Sequence, residues 1–207
     1  MVAGAHRCKA AFVTQDVTQN MTQNSTQETT GNSLPDRVVR AVQDSPVSRV
    51  LDRLLTAVTA PVVPGDDSPM RTNVLGHSLH PVLTDLPLGC WTSATLVDLV
   101  GGRAGRSAAT RLVGTGLLAA GPTAYAGLAS WSRLEGQERR IGAVHAVGND
   151  VAIVLFVGSF AARVRGQHWR GVRLALMGNL ATVAAGHLGG HLALKRGTAS
   201  RETTERE

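Results

Sequence analysis

Four runs of about twenty mostly apolar residues, each closed by arginine or lysine, constrain this chain more than any other feature. They are Pro81 to Val100, closed by GGRAGR; Ala108 to Trp131, closed by SRLEGQERR; Ile141 to Ala162, closed by RVRGQHWRG; and Val172 to Leu194, closed by KRG. At ~1.5 Å of rise per residue, a helix of that length crosses the ~30 Å hydrocarbon core of a bilayer. A single such run also suits the core helix of a soluble protein. Four in succession, joined by short polar connections, suit antiparallel helices in lipid, where helices satisfy their own backbone groups. The expected fold class is all-α: a four-helix transmembrane bundle over residues 75–195, preceded by a disordered tail and an amphipathic helix.

Whole-chain averages conceal this division. Apolar residues make up 43% of the 207, and the mean hydropathy is only +0.02. Residues 1–35 include the TQN-like repeats of TQDVTQNMTQNSTQETTGNS, which bury too little to offset the entropy of ordering. Residues 36–74 hold a helix short of spanning length and a PVVPGDDSP linker. In that helix Val47, Val50, Leu51, Leu54, Leu55 and Val58 recur at steps of three or four, with Arg49, Asp52 and Arg53 opposite. Asp44 or Ser45 can cap it, with Pro46 at its first position. It is expected either on the membrane surface or packed against its own bundle. Residues 196–207 form a charged C-terminal tail.

The net charge of +6 does not point to nucleic acid. Most arginines flank apolar runs, where they snorkel to lipid phosphates, and aromatics at 3% offer no stacking platform for bases. The lipid bilayer is the expected partner. Cys8 and Cys90 fall in unlike environments, so no structural disulfide is expected. The N-terminus lacks the apolar stretch of a signal peptide. The expectation is a multi-pass protein of the cell inner (plasma) membrane, with both termini on one side, the cytoplasmic one. Arginine and lysine divide almost evenly between the two sides, so charge bias does not fix orientation.

Polar groups inside a bilayer are costly, and each is a functional candidate. His77, His80 and Asp85 stand at the start of the first run, His145, Asn149 and Asp150 at the start of the third, and His187 and His191 at the end of the fourth. Up-and-down topology returns these positions, with Tyr125, to one membrane face. Five of the seven histidines thus share one depth; His6 lies in the tail, and His168, in a loop on the opposite side, is expected to stand apart. Three chemistries suit the cluster. His80, His145, His187 and His191 can bind haem or a transition metal, with His77, Asp85 and Asn149 as further metal ligands or orienting partners. The same groups can relay protons, or can serve as interhelical hydrogen-bonding glue. No phosphate loop and no nucleophile–base arrangement is present, and the His-x3-His spacing of run four lacks a metalloprotease glutamate. Gly114, Gly116, Gly142, Gly148, Gly178, Gly186, Gly189 and Gly190 are expected to let helices approach, Gly186 and Gly190 through small-xxx-small spacing. Pro87 and Pro122 are expected to kink their runs.

The stretch LGHSLHPVLTDLPLGCWTSATLVDLVGG resembles the opening of a bacterial membrane family known as domain of unknown function 2231. RRIGAVHAVGND and GHLGGHLAL resemble its third and fourth helices. The resemblance covers Leu75 to Lys195. It makes His77, His80, Pro81, Asp85, Pro87, Asp98, His145, Asn149, Gly189, Gly190 and His191 family motif positions. It also implies a redox association, because some members resemble partners of Rieske-type iron–sulfur domains. This chain carries no Rieske cysteines, so such a redox protein would be a separate partner. The ending LALKRGTAS departs from the family pattern.

Overall fold

A computed structural model describes residues 33–63 and 79–196. The tail through residue 32, the linker containing His77, and residues 197–207 lie outside the described residues. Within them the chain is all-α. Six helices follow in order: α1 (Leu34–Asp44), α2 (Pro46–Thr59), α3 (Leu79–Val100), α4 (Gly102–Trp131), α5 (Gly136–Val164) and α6 (His168–Gly190), which ends in a π-helical turn (His191–Lys195).

The chain divides into two compact units after Ala41. In the first, Ser33 starts α1: its hydroxyl accepts from the Asp36 amide (3.4 Å) and donates to the Asp36 carboxylate (2.6 Å). The expected amphipathic helix is α2: Ser45 caps it, accepting from the Val47 amide at 3.1 Å, and Pro46 opens it where its missing N–H costs nothing; a separate helix, α1, precedes it.

α2 packs on α5 through its polar side. Arg139 of α5 donates to the Asp52 carboxylate (3.0 Å) and to Thr56 Oγ1 (3.1 Å), while its guanidinium lies 4.0 Å over the Trp131 ring. The apolar stripe Val47, Val50, Leu54 and Val58 is left exposed. The polar face of this helix thus meets α5, and its apolar face points outward.

The four long helices form two hairpins. α3 packs on α4 and α5 on α6, while α4 meets α5 and α3 meets α6 between the hairpins. Each connection turns at a glycine of positive φ: Gly102, Gly136 and Gly166. Pro87 and Pro122 sit within continuous helices. The interior is built from small residues, among them Ala94, Ala109, Ala120, Ala126, Ala143, Ala152, Ala175 and Ala185. Larger side chains face outward on all four helices, including Leu86, Leu96, Leu118, Val154, Leu180 and Val183. At the centre Trp91 and Phe156 stack, their centroids 3.9 Å apart.

By length and composition, α4 and α5 are long and apolar enough to cross a membrane. α3 and α6 are shorter, at 22 and 23 residues, and neither holds an equally apolar stretch of spanning length. The polar groups that lower their hydropathy include His80, Asp85 and Asp98 on α3, and Arg170, Arg173 and Asn179 on α6.

Candidate functional site

Two of the expected site histidines come together. His80, in the first turn of α3, and His145, on α5, stand with ring centroids 6.1 Å apart and planes nearly perpendicular. Each ring is held in the same way. His80 Nδ1 lies 3.0 Å from the Thr123 carbonyl of α4, and His145 Nδ1 lies 2.8 Å from the Ala185 carbonyl of α6. A carbonyl only accepts, so each Nδ1 carries a proton, and Nε2 of the neutral ring is the acceptor or ligating atom. Gly127 and Gly189 give the rings their room: a Cβ at either would come within 2.8 and 2.6 Å of the respective Cε1.

Asn149 joins this pair. Its amide nitrogen lies 3.1 Å from His145 Nε2 and also donates to the His145 carbonyl. The other candidates disperse. Asp85 and His187 are exposed, as is Asp150. His191 is half-buried in the π-helical turn, with Arg196 Nε 3.5 Å from its Nε2; Arg196 also donates to Gln43 at 2.7 Å. Among the described residues, no group of three or more His, Cys, Asp or Glu is placed to hold a metal ion. Among the described residues, the expected ligands brought together are His80 and His145, with Asn149 beside them; His77 lies outside the described residues.

The opposite end of the helices holds a second site, of which the family resemblance marked only Asp98. Asp98, at the end of α3, receives both terminal nitrogens of Arg163 from the end of α5, at 3.0 and 2.5 Å. Arg163 Nε donates to Ser159 Oγ, which donates to the Gly171 carbonyl at 2.7 Å. A Cβ at Gly171 would overlap the Arg163 side chain, so the glycine makes space for the guanidinium. The signal was the charge itself: Asp98 lies inside an apolar run, where an acid needs a partner. His168 does not stand apart; its Nε2 is 3.8 Å from Asp98 Oδ1.

Burial depresses the His168 pKa below its ordinary value; Asp98 opposes this, and Arg106 and Arg163 add to it. The folded protein therefore binds fewer protons there than the unfolded chain. His168 should lower stability as pH falls below about 6.5, with the loss complete once pH passes the folded pKa. Thermal unfolding from pH 8 to pH 5 checks this: His168→Gln should lose less stability on acidification than the wild type. Identical pH profiles would remove His168 from the linkage.

The family model described as "Predicted membrane protein (DUF2231)" matches residues 76–202. The chain belongs to the DUF2231 family. The match takes in all four long helices, the histidine pair and the Asp98–Arg163 ion pair, whereas α1 and α2 precede it. No curated protein and no solved structure matches this DUF2231 chain.

Proposed function

We propose that this DUF2231 protein is an integral inner-membrane protein, a four-helix transmembrane bundle with both termini on the cytoplasmic side. In this reading it is a redox-associated subunit that holds haem or a transition metal between His80 and His145. The outward faces of α3 and α6 support the four spans. Leu96, Leu99, Leu180 and Val183 are exposed there, as Leu118 and Val154 are on α4 and α5. An apolar surface around an alanine-rich interior suits lipid better than water. The exposed stripe of α2 then lies in the membrane interface.

One observation carries the cofactor reading. Both imidazoles donate through Nδ1 to the neighbouring helix, which fixes the ring and leaves Nε2 to ligate, the arrangement usual for metal-bound histidine. His80 and His145 would be the two protein ligands of haem iron, or of a metal completed by outside ligands. When bound, such a group would supply electron transfer, to which a Rieske-type or other redox protein is the fitting partner. The chain's own residues orient the imidazoles and hold their protons on Nδ1.

A second reading has its own observation. Asn149 already occupies His145 Nε2, and both rings are tightly clasped, as purely structural hydrogen-bonding groups would be. The protein would then be a membrane scaffold or small transporter. Absorption and metal analysis of detergent-purified, full-length protein separate the two. A Soret band or stoichiometric metal, lost in both His80→Ala and His145→Ala and kept in His187→Ala, supports the cofactor. Colourless, metal-free wild type from cells supplied with iron and haem precursor makes the histidines structural.

A further inference from the structure

The two hairpins repeat one another. α3 carries His80, Val82 and Asp85, and α5 carries His145, Val147 and Asp150 at the same spacing. α4 carries Arg111, Leu112, Gly116, Leu118 and Ala119, matched on α6 by Arg173, Leu174, Gly178, Leu180 and Ala181. The packing repeats as well. Gly127 clears His80 as Gly189 clears His145, and Gly116 clears Trp91 as Gly178 clears Phe156. The carbonyls that accept from the histidines, of Thr123 and Ala185, lie one turn before the corresponding glycines.

Equivalent residues also meet each other. His80 faces His145, Trp91 stacks on Phe156, and Asp98 pairs with Arg163, each pair being 65 residues apart in sequence. A position that touches its own equivalent lies on a twofold axis. His80, Trp91 and Asp98 fall about three and five turns along one helix, so they form a single stripe. We infer that the membrane portion is a tandem duplication of one helical hairpin. Its copies dock through the His80–Trp91–Asp98 stripe and its counterpart about an axis parallel to the helices. The Asp98–Arg163 layer makes each copy accept the other and reject its own kind.

That specificity follows from charge. Two first hairpins would set Asp98 against Asp98, and two second hairpins Arg163 against Arg163, each in a dry interior. The other two pairs are chemically alike and do not discriminate. The surroundings of the ion pair differ in the way its members require. Arg163 has Ser159 one turn earlier to accept from Nε and Gly171 opposite for room. The smaller Asp98 has alanine at both equivalent places, Ala94 and Ala109. Arg106 and His168 are equivalent too, and both flank the pair. Parallel repeats about an axis along the membrane normal are a recurrent membrane architecture. The inference is independent of whether the histidines bind a cofactor.

The test rotates this layer by half a turn within the full-length protein. The whole exchange places Ala94→Ser, Asp98→Arg, Arg106→His and Ala109→Gly in the first hairpin, and Ser159→Ala, Arg163→Asp, His168→Arg and Gly171→Ala in the second. A half exchange makes only the first four changes and sets arginine against arginine. Gel filtration and circular dichroism through thermal unfolding in detergent read the outcome. The half exchange should lose its cooperative transition and its monodisperse peak, and the whole exchange should regain most of both. If the whole exchange is as disordered as the half, the two sides are not equivalent and the duplication is rejected. If the half exchange folds like the wild type, the layer does not specify pairing.

Discussion

Replacing Asp98 by alanine is expected to lower stability by about 3–5 kcal/mol, the usual cost of stranding one member of a buried ion pair. The side chains of Asp98 and Arg163 are 2% and 1% exposed. Without the carboxylate, Arg163 keeps Ser159 on its Nε, but both terminal nitrogens lose their acceptors in a place water does not reach. The pair is worth far less than its breakage, because its own desolvation offsets most of its attraction. Asp98→Leu combined with Arg163→Met should therefore stay near the wild type, despite removing the whole interaction. Unfolding in mixed micelles over a denaturing-detergent series measures both. A loss below about 1 kcal/mol for Asp98→Ala, the range of exposed pairs, would mean that Arg163 finds solvent or a second acceptor.

The gross fold was legible because hydrophobic run length and flanking charge are local signals. The four runs become α3 to α6, and Pro46 stands at a helix start. The break at Ser45 rests equally on a local cap. Pairwise packing was not legible at the same level. Gly186 and Gly190 have the spacing of a packing motif, yet a Cβ at either meets nothing within 4 Å among the described residues. Gly189, between them, is the contact. Spacing identifies a helix face but not which face turns inward. The same limit explains the site. Lipid cost argues that His187 and Asp85 should turn inward, but at helix ends the interface satisfies a polar side chain without burial. Among the described residues, His80 and His145 are the expected ligands whose rings reach a neighbouring helix's carbonyl and are drawn in. The internal repeat was present in the sequence and went unread, because equivalent positions hold Trp and Phe, or Asp and Arg. Duplication preserved place more than identity.

Valine at Gly127 or Gly189 should damage the protein far more than valine at neighbouring glycines of the same helices. The added Cβ at Gly189 would approach the His145 ring to 2.6 Å, and that at Gly127 the His80 ring to 2.8 Å. Neither ring can retreat without giving up its Nδ1 bond to Ala185 or Thr123. The overpacking term is about 1–3 kcal/mol, and a stranded buried carbonyl or ring nitrogen adds roughly 1–3 kcal/mol. Gly121→Val and Gly186→Val are matched controls, since a Cβ at either position meets open space. They carry the same change in helix propensity without touching a histidine. Unfolding of all four variants isolates the ring contact from any general intolerance of valine. If a cofactor occupies the pair, Gly127→Val and Gly189→Val should also shift or abolish its absorption while the controls leave it unchanged. A common small loss across the four would mean the rings move freely. That outcome would undercut both the clamp and any ligand that depends on it.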